Sequence, residues 1–150
     1  MHRKVINSLR YLLLFAALLQ FGGCGTTIGI EIREGLAPSF KPTGTQDASF
    51  VAVVGPCPIP PTVSTKENTP YIWMIEPVNS NPTFDDSPLI AYGTIPAGWG
   101  QEIPSTGSPP PLNEAAMYCI LVVSTRNLSA SKCFVVRDGK AINYRHKWCP

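Results

Sequence analysis

The stretches MYCILVVS (Met117–Ser124) and CFVVRDGKAINY (residues 133–144) decide how this chain folds. The first is the strongest strand signal in the sequence, rich in β-branched and aromatic residues and free of charge, proline and glycine. The second opens with another short strand, residues 133–136. It then reaches Asp138-Gly139, a hairpin signal, because both central positions of a type I′ turn require positive φ. From there the chain is expected to return along residues 141–144. A turn near Arg126-Asn127 would lay the first stretch against the second and bring Cys119 opposite Cys133.

Outward towards the N-terminus the same pattern repeats. Phe50-Val51-Ala52-Val53-Val54 has the length and composition of a buried strand, and it stops where Pro56, Pro58, Pro60 and Pro61 forbid a central one. Tyr71-Ile72-Trp73-Met74-Ile75 lies between Pro70 and Pro77, residues 89–95 form another apolar run, and residues 26–33 another. Between them stand a polar stretch at 35–47, a loop at 79–87, and an irregular segment at 96–112 rich in Pro, Gly and Ser. A short helical turn is expected at 113–116. Seven short strands separated by turn residues predict an all-β protein, an antiparallel β-sandwich, with a jelly roll or small barrel as the alternative. Trp73 and Tyr118 are its expected core aromatics.

Leu112, six residues before Tyr118, stands at the entrance to the strongest late strand. This spacing resembles the tyrosine corner of immunoglobulin and fibronectin type III domains, in which the Tyr hydroxyl bonds back to the preceding loop. Asn113-Glu114-Ala115-Ala116 stands where fibronectin type III domains commonly have a Pro-Gly turn. The resemblance implies an immunoglobulin/fibronectin type III-like sandwich.

The N-terminus carries a different signal. His2, Arg3, Lys4 and Arg10 precede the apolar run Tyr11-Leu12-Leu13-Leu14-Phe15-Ala16-Ala17-Leu18-Leu19, which closes on Phe21-Gly22-Gly23-Cys24. A basic segment, a short apolar segment and small residues at a cut site make a secretory signal peptide. With a cysteine directly after the small residues it resembles a bacterial lipoprotein signal, Phe21 standing where that family usually has Leu. The resemblance implies that the Cys24 thiol takes a diacylglycerol group and becomes the mature N-terminus. Gly25 in place of Asp implies transfer to the outer membrane, facing the periplasm. The uncharged run from Tyr11 to Ile30 is also long enough for an uncleaved anchor. The expected organisation is a signal peptide at 1–23, a lipid-anchored segment with one strand at 24–47, and the sandwich at 48–150.

Cysteine usage agrees with export. With Cys24 assigned to lipid, Cys57, Cys119, Cys133 and Cys149 remain, an even number suited to two disulfides in an oxidising compartment. Three pairings are open, of which the hairpin favours Cys119 with Cys133, and hence Cys57 with Cys149. A zinc site finds little support, since no C-x-x-C spacing exists and His146 is the sole histidine after the signal. No metal and no other cofactor are expected.

All sixteen prolines lie beyond the signal, which disfavours long helices there. Loss of Arg3, Lys4 and Arg10 with the signal leaves 9 basic against 10 acidic residues, a balance that argues against nucleic acid. His146 near the C-terminus is a poor platform for a catalytic base. Asp85-Asp86 reads as a solvated turn, because a calcium site needs further oxygen ligands. Trp99, flanked by Gly98 and Gly100 in the long loop, has two readings: a cap folded onto the core, or an exposed anchor for a protein or glycan. Together these features predict a non-enzymatic, lipid-anchored interaction or accessory module of the cell envelope. The rival is a small envelope hydrolase or carbohydrate-binding protein using Trp99 with Asp85, Asp86 and Glu102.

Overall fold

The computed structural model describes residues 27–34, 38–57 and 70–144. Cys24, Cys149, His146 and the signal segment therefore lie outside the described residues. Within them the chain is all-β, with nine strands and no helix: β1 (Gly29–Arg33), β2 (Ser39–Thr43), β3 (Ala48–Cys57), β4 (Tyr71–Pro77), β5 (Ile90–Ala91), β6 (Trp99–Ile103), β7 (Met117–Ser124), β8 (Ser129–Arg137) and β9 (Lys140–Tyr144). They form two antiparallel sheets, one of three strands in the order β1-β2-β5 and one of six in the order β6-β4-β3-β7-β8-β9.

One apolar core lies between the sheets. Alternation along β7 aims Tyr118, Ile120 and Val122 into it, while β8 contributes Phe134 and Val136 and the smaller sheet Ile30, Ile32, Phe40 and Ile90. The two layers meet ring to ring: Phe40 of β2 lies 5.9 Å from Phe134 of β8, which lies 5.8 Å from Tyr118. Residues 29–43 thus share the core of residues 48–144 and supply two strands of the smaller sheet. Lys132 of β8 adds a tie across the sandwich by donating to the Ile30 carbonyl at 3.2 Å.

The β8–β9 hairpin has the expected turn, with φ of 51° at Asp138 and 69° at Gly139 and Arg137 paired with Lys140. Cys119 and Cys133 are direct cross-strand partners, 4.0 Å apart at Cα and joined by a disulfide. They sit on the face of the large sheet opposite the main core, in a second cluster with Val54, Cys57, Met117 and Val135. Cys57 is also disulfide-bonded. Its expected pairing with Cys149 falls outside the described residues.

Two strands stand where the sequence reads as loop. β2 contains Pro42, which lacks a backbone donor, yet β2 pairs with β5 only through Ser39 and Phe40, so nothing on that side requires an N–H from Pro42. β6 forms because residues 99–103 pair with β4 from Pro77↔Trp99 to Met74↔Ile103. The run at 89–95 shrinks to two residues of strand, for Gly93 (φ 77°) turns the chain and Thr94 N–H closes on the Ala91 carbonyl at 3.0 Å. The expected helical turn at 113–116 is a reverse turn with Ala115 in the left-handed region, φ 57°.

Gly55 on β3 is required by two constraints at once. Its φ is 143°, and a Cβ there would lie 2.5 Å from Cδ1 of the Tyr118 ring.

Candidate functional site

A groove of about 330 Å³ is lined by Pro38, Tyr92, Gly93, residues 108–112, Glu114, Val136, Gly139 and Ala141. Four segments converge to build it. Tyr92 follows β5 and donates its backbone N–H to the Pro38 carbonyl at 2.9 Å, while its hydroxyl donates to the Pro110 carbonyl at 2.7 Å. That bond ties the run Pro109-Pro110-Pro111, which has no N–H groups of its own, to the end of the smaller sheet. Beneath it the Tyr92 ring meets Trp73 edge-on at 5.5 Å. The opposite wall is stitched by paired bonds, Ala115 N–H to the Val136 carbonyl at 2.9 Å and Val136 N–H to the Ala116 carbonyl at 3.2 Å. Glu114 Oε1 accepts from Gly139 N–H at 2.5 Å and so holds the hairpin tip in place.

Tyr118 anchors the floor of this end. Its hydroxyl accepts the Asn113 N–H at 2.9 Å, fixing the loop that enters β7. Trp73 Nε1 donates to Gln101 Oε1 at 3.1 Å, and Gln101 Nε2 donates to the Pro104 and Gly107 carbonyls, each at 2.8 Å. A buried indole donor is thereby satisfied and the first part of the 104–112 loop is shaped by the same side chain.

Burial, and secondly the neighbouring Tyr118, push the Tyr92 phenol from its usual 10 up to about 12. The sign follows from the proton count: between these values the unfolded chain has lost this proton and the folded chain has kept it. Stability supported by this group is whole below pH 10 and declines as the pH rises towards 12. Urea midpoints measured across this range should fall for the native protein and fall less for Tyr92→Phe; parallel declines would show that Tyr92 is not the group responsible.

Of the residues marked by the sequence, Trp99 is placed differently from an exposed anchor. It begins β6, is 7 % exposed, and belongs to the main core. The cap reading matches this burial, and the displayed-anchor reading is corrected: pairing with Pro77 of β4 turns the ring inward despite its glycine neighbours. Asp85 and Asp86 are committed to a turn, Asp85 Oδ1 accepting Gly44 N–H at 2.8 Å and Asp86 Oδ2 accepting the Thr83 hydroxyl at 2.6 Å. Lys41 Nζ secures the same turn from β2 by donating to the carbonyls of Asp85 and Ser87. Glu102 is exposed on β6. None of Trp99, Asp85, Asp86 and Glu102 lines the groove. Among the described residues no three His, Cys, Asp or Glu side chains gather as a metal site.

The sequence reading missed Tyr92 and the 108–112 wall. A usable signal was present in the Pro109-Pro110-Pro111 run, whose stiff backbone presents carbonyls able to accept from a side chain, as Pro110 does from Tyr92. What the groove offers is hydrocarbon from prolines, Leu112, Val136 and Ala141, with Glu114 as its one charged lining residue. Such a surface receives an apolar side chain or ring more readily than it polarises a bond. No family model, curated protein or solved structure matches this chain.

Proposed function

We propose that this chain is a non-enzymatic, lipid-anchored interaction module of the bacterial cell envelope, attached through Cys24 to the outer membrane and facing the periplasm. The observation that carries this reading is the disulfide between Cys119 and Cys133, a bond of the kind that persists in oxidising, extracytoplasmic compartments. It agrees with the basic, apolar and small-residue order of Met1 to Cys24. The groove beside Tyr92 is the surface through which the module engages an envelope protein or glycan. We further propose that the sandwich is of the immunoglobulin/fibronectin type III kind, supported by the Tyr118 hydroxyl near the start of β7 bonding back to Asn113.

The thiol of Cys24 is the acceptor in this reading, so Cys24→Ser should abolish incorporation of a palmitate analogue during metabolic labelling. Label retained by the variant would overturn the anchor. The groove's role is tested by affinity purification from intact envelopes.

A further inference from the structure

Strand register places the loops of the sandwich at two opposite ends. At one end Thr27 lies against Gly44, where an added Cβ would come within 2.8 Å of the Thr27 carbonyl oxygen. Gly44 is bonded to Asp85, Asp47 bridges Thr83, and Thr125 N–H donates to the Asp47 carbonyl at 3.0 Å. This end therefore gathers the start of β1, the 83–87 turn and the β7–β8 hairpin, and Val78 beyond the end of β4 belongs to it as well. The other end holds the β8–β9 hairpin, Tyr92 and the groove. Between the two hairpins runs β8, nine residues long, or about 26 Å from first Cα to last at 3.3 Å per step.

Two residues, Gly25 and Thr26, stand between Cys24 and Thr27, a reach of at most about 11 Å in extended chain. The headgroup layer of a bilayer is itself only about 5–8 Å thick on each side. A lipid on Cys24 thus keeps the Thr27 end within a few ångströms of the headgroup surface. We propose that this end rests on the lipid headgroups, with Leu128 and Val78 against them, and that the groove is thereby held at the far end, facing away from the bilayer. The inference rests on the anchor proposed above. The end carries exposed Asp47, Asp85 and Asp86 against exposed Arg126, so an anionic surface does not attract it, and the tether alone brings it there.

Hydroxyl-radical footprinting of the full lipoprotein on phosphatidylcholine vesicles tests this. Val78 and Leu128 are 63 % and 40 % exposed at the near end, and Tyr71, 45 % exposed, begins β4 at the far one. A second form carries a spacer of about 20 Gly and Ser residues after Gly25, with a mean span of about 25 Å. Oxidation of Val78 and Leu128 should be several-fold lower in the native protein than in the spacer form, with Tyr71 equal in both. Equal oxidation of Leu128 in the two forms, or stronger protection of Tyr71, would overturn the orientation while leaving the anchor intact. Failure of the protein to float with the vesicles, with no acyl mass on the Cys24 peptide, would remove the anchor and the orientation together.

Discussion

Trp73→Ala and Tyr118→Ala should each lower the stability of the folded chain by about 3–5 kcal/mol, the range for large aromatics truncated in a packed core. Both side chains are fully buried, Trp73 at 0 % and Tyr118 at 1 % exposure. Each loss has two parts. Removing the Trp73 indole leaves a cavity beside Tyr92 and also deprives Gln101 Oε1 of its donor. Removing the Tyr118 ring undoes its stacking on Phe134 and leaves the Asn113 N–H without its acceptor. Tyr118→Phe separates these parts, since it keeps the ring and should cost only about 1 kcal/mol. Trp99→Ala belongs with the large losses, because its ring packs in the same core. Urea unfolding of the four variants checks the series. An unchanged midpoint for Trp99→Ala would restore the exposed-anchor reading, and unchanged midpoints for Trp73→Ala and Tyr118→Ala would refute the packed sandwich.

The second large effect is expected at the cross-strand disulfide. Cys119 and Cys133 are separated by 14 positions, and closing a loop of this size restricts the unfolded chain by about 3 kcal/mol. Replacing both with alanine should lower stability by about that amount. The pair must be removed together, because a lone thiol could exchange with the bridge at Cys57, which lies in the same cluster. Before unfolding is measured, peptide mapping under non-reducing conditions fixes the connectivity: a fragment joining Cys119 to Cys57 or Cys149 would contradict the hairpin register. An alanine pair as stable as the native protein would show that the bridge adds nothing beyond the β7–β8 ladder.

How far the sequence could be read depended on whether local and tertiary signals agreed. In β7, β8 and β9 they did. Asp138-Gly139 sets its own turn, and the alternation of Tyr118, Ile120 and Val122 with Met117 and Cys119 already separates the two faces of the sheet. In β2 and β6 they opposed one another. Pro42 and the glycines around Trp99 read as loop, and those residues become strand because β1 and β4 lie beside them. That neighbour is set by the fold and leaves no mark in a short window of sequence. The groove was less legible still, since Pro38, Tyr92, Leu112 and Gly139 are far apart in the chain and meet only after both sheets have formed.

The partial pairing of β2 has a consequence for coexistence at high concentration. A half-open sheet edge is a template on which a strand of another molecule can add, the first step towards ordered aggregates. Here the open part of β2 begins at Lys41 and Pro42. A strand approaching Pro42 finds no N–H to bond, and the way past Lys41 is taken by the 85–87 segment, whose carbonyls hold the lysine ammonium and whose Asp85 N–H donates to the Gly44 carbonyl at 2.9 Å. The same proline that hides β2 from a reader of the sequence guards this stretch of its edge, so a strand of a neighbouring copy cannot add along β2 beyond Phe40.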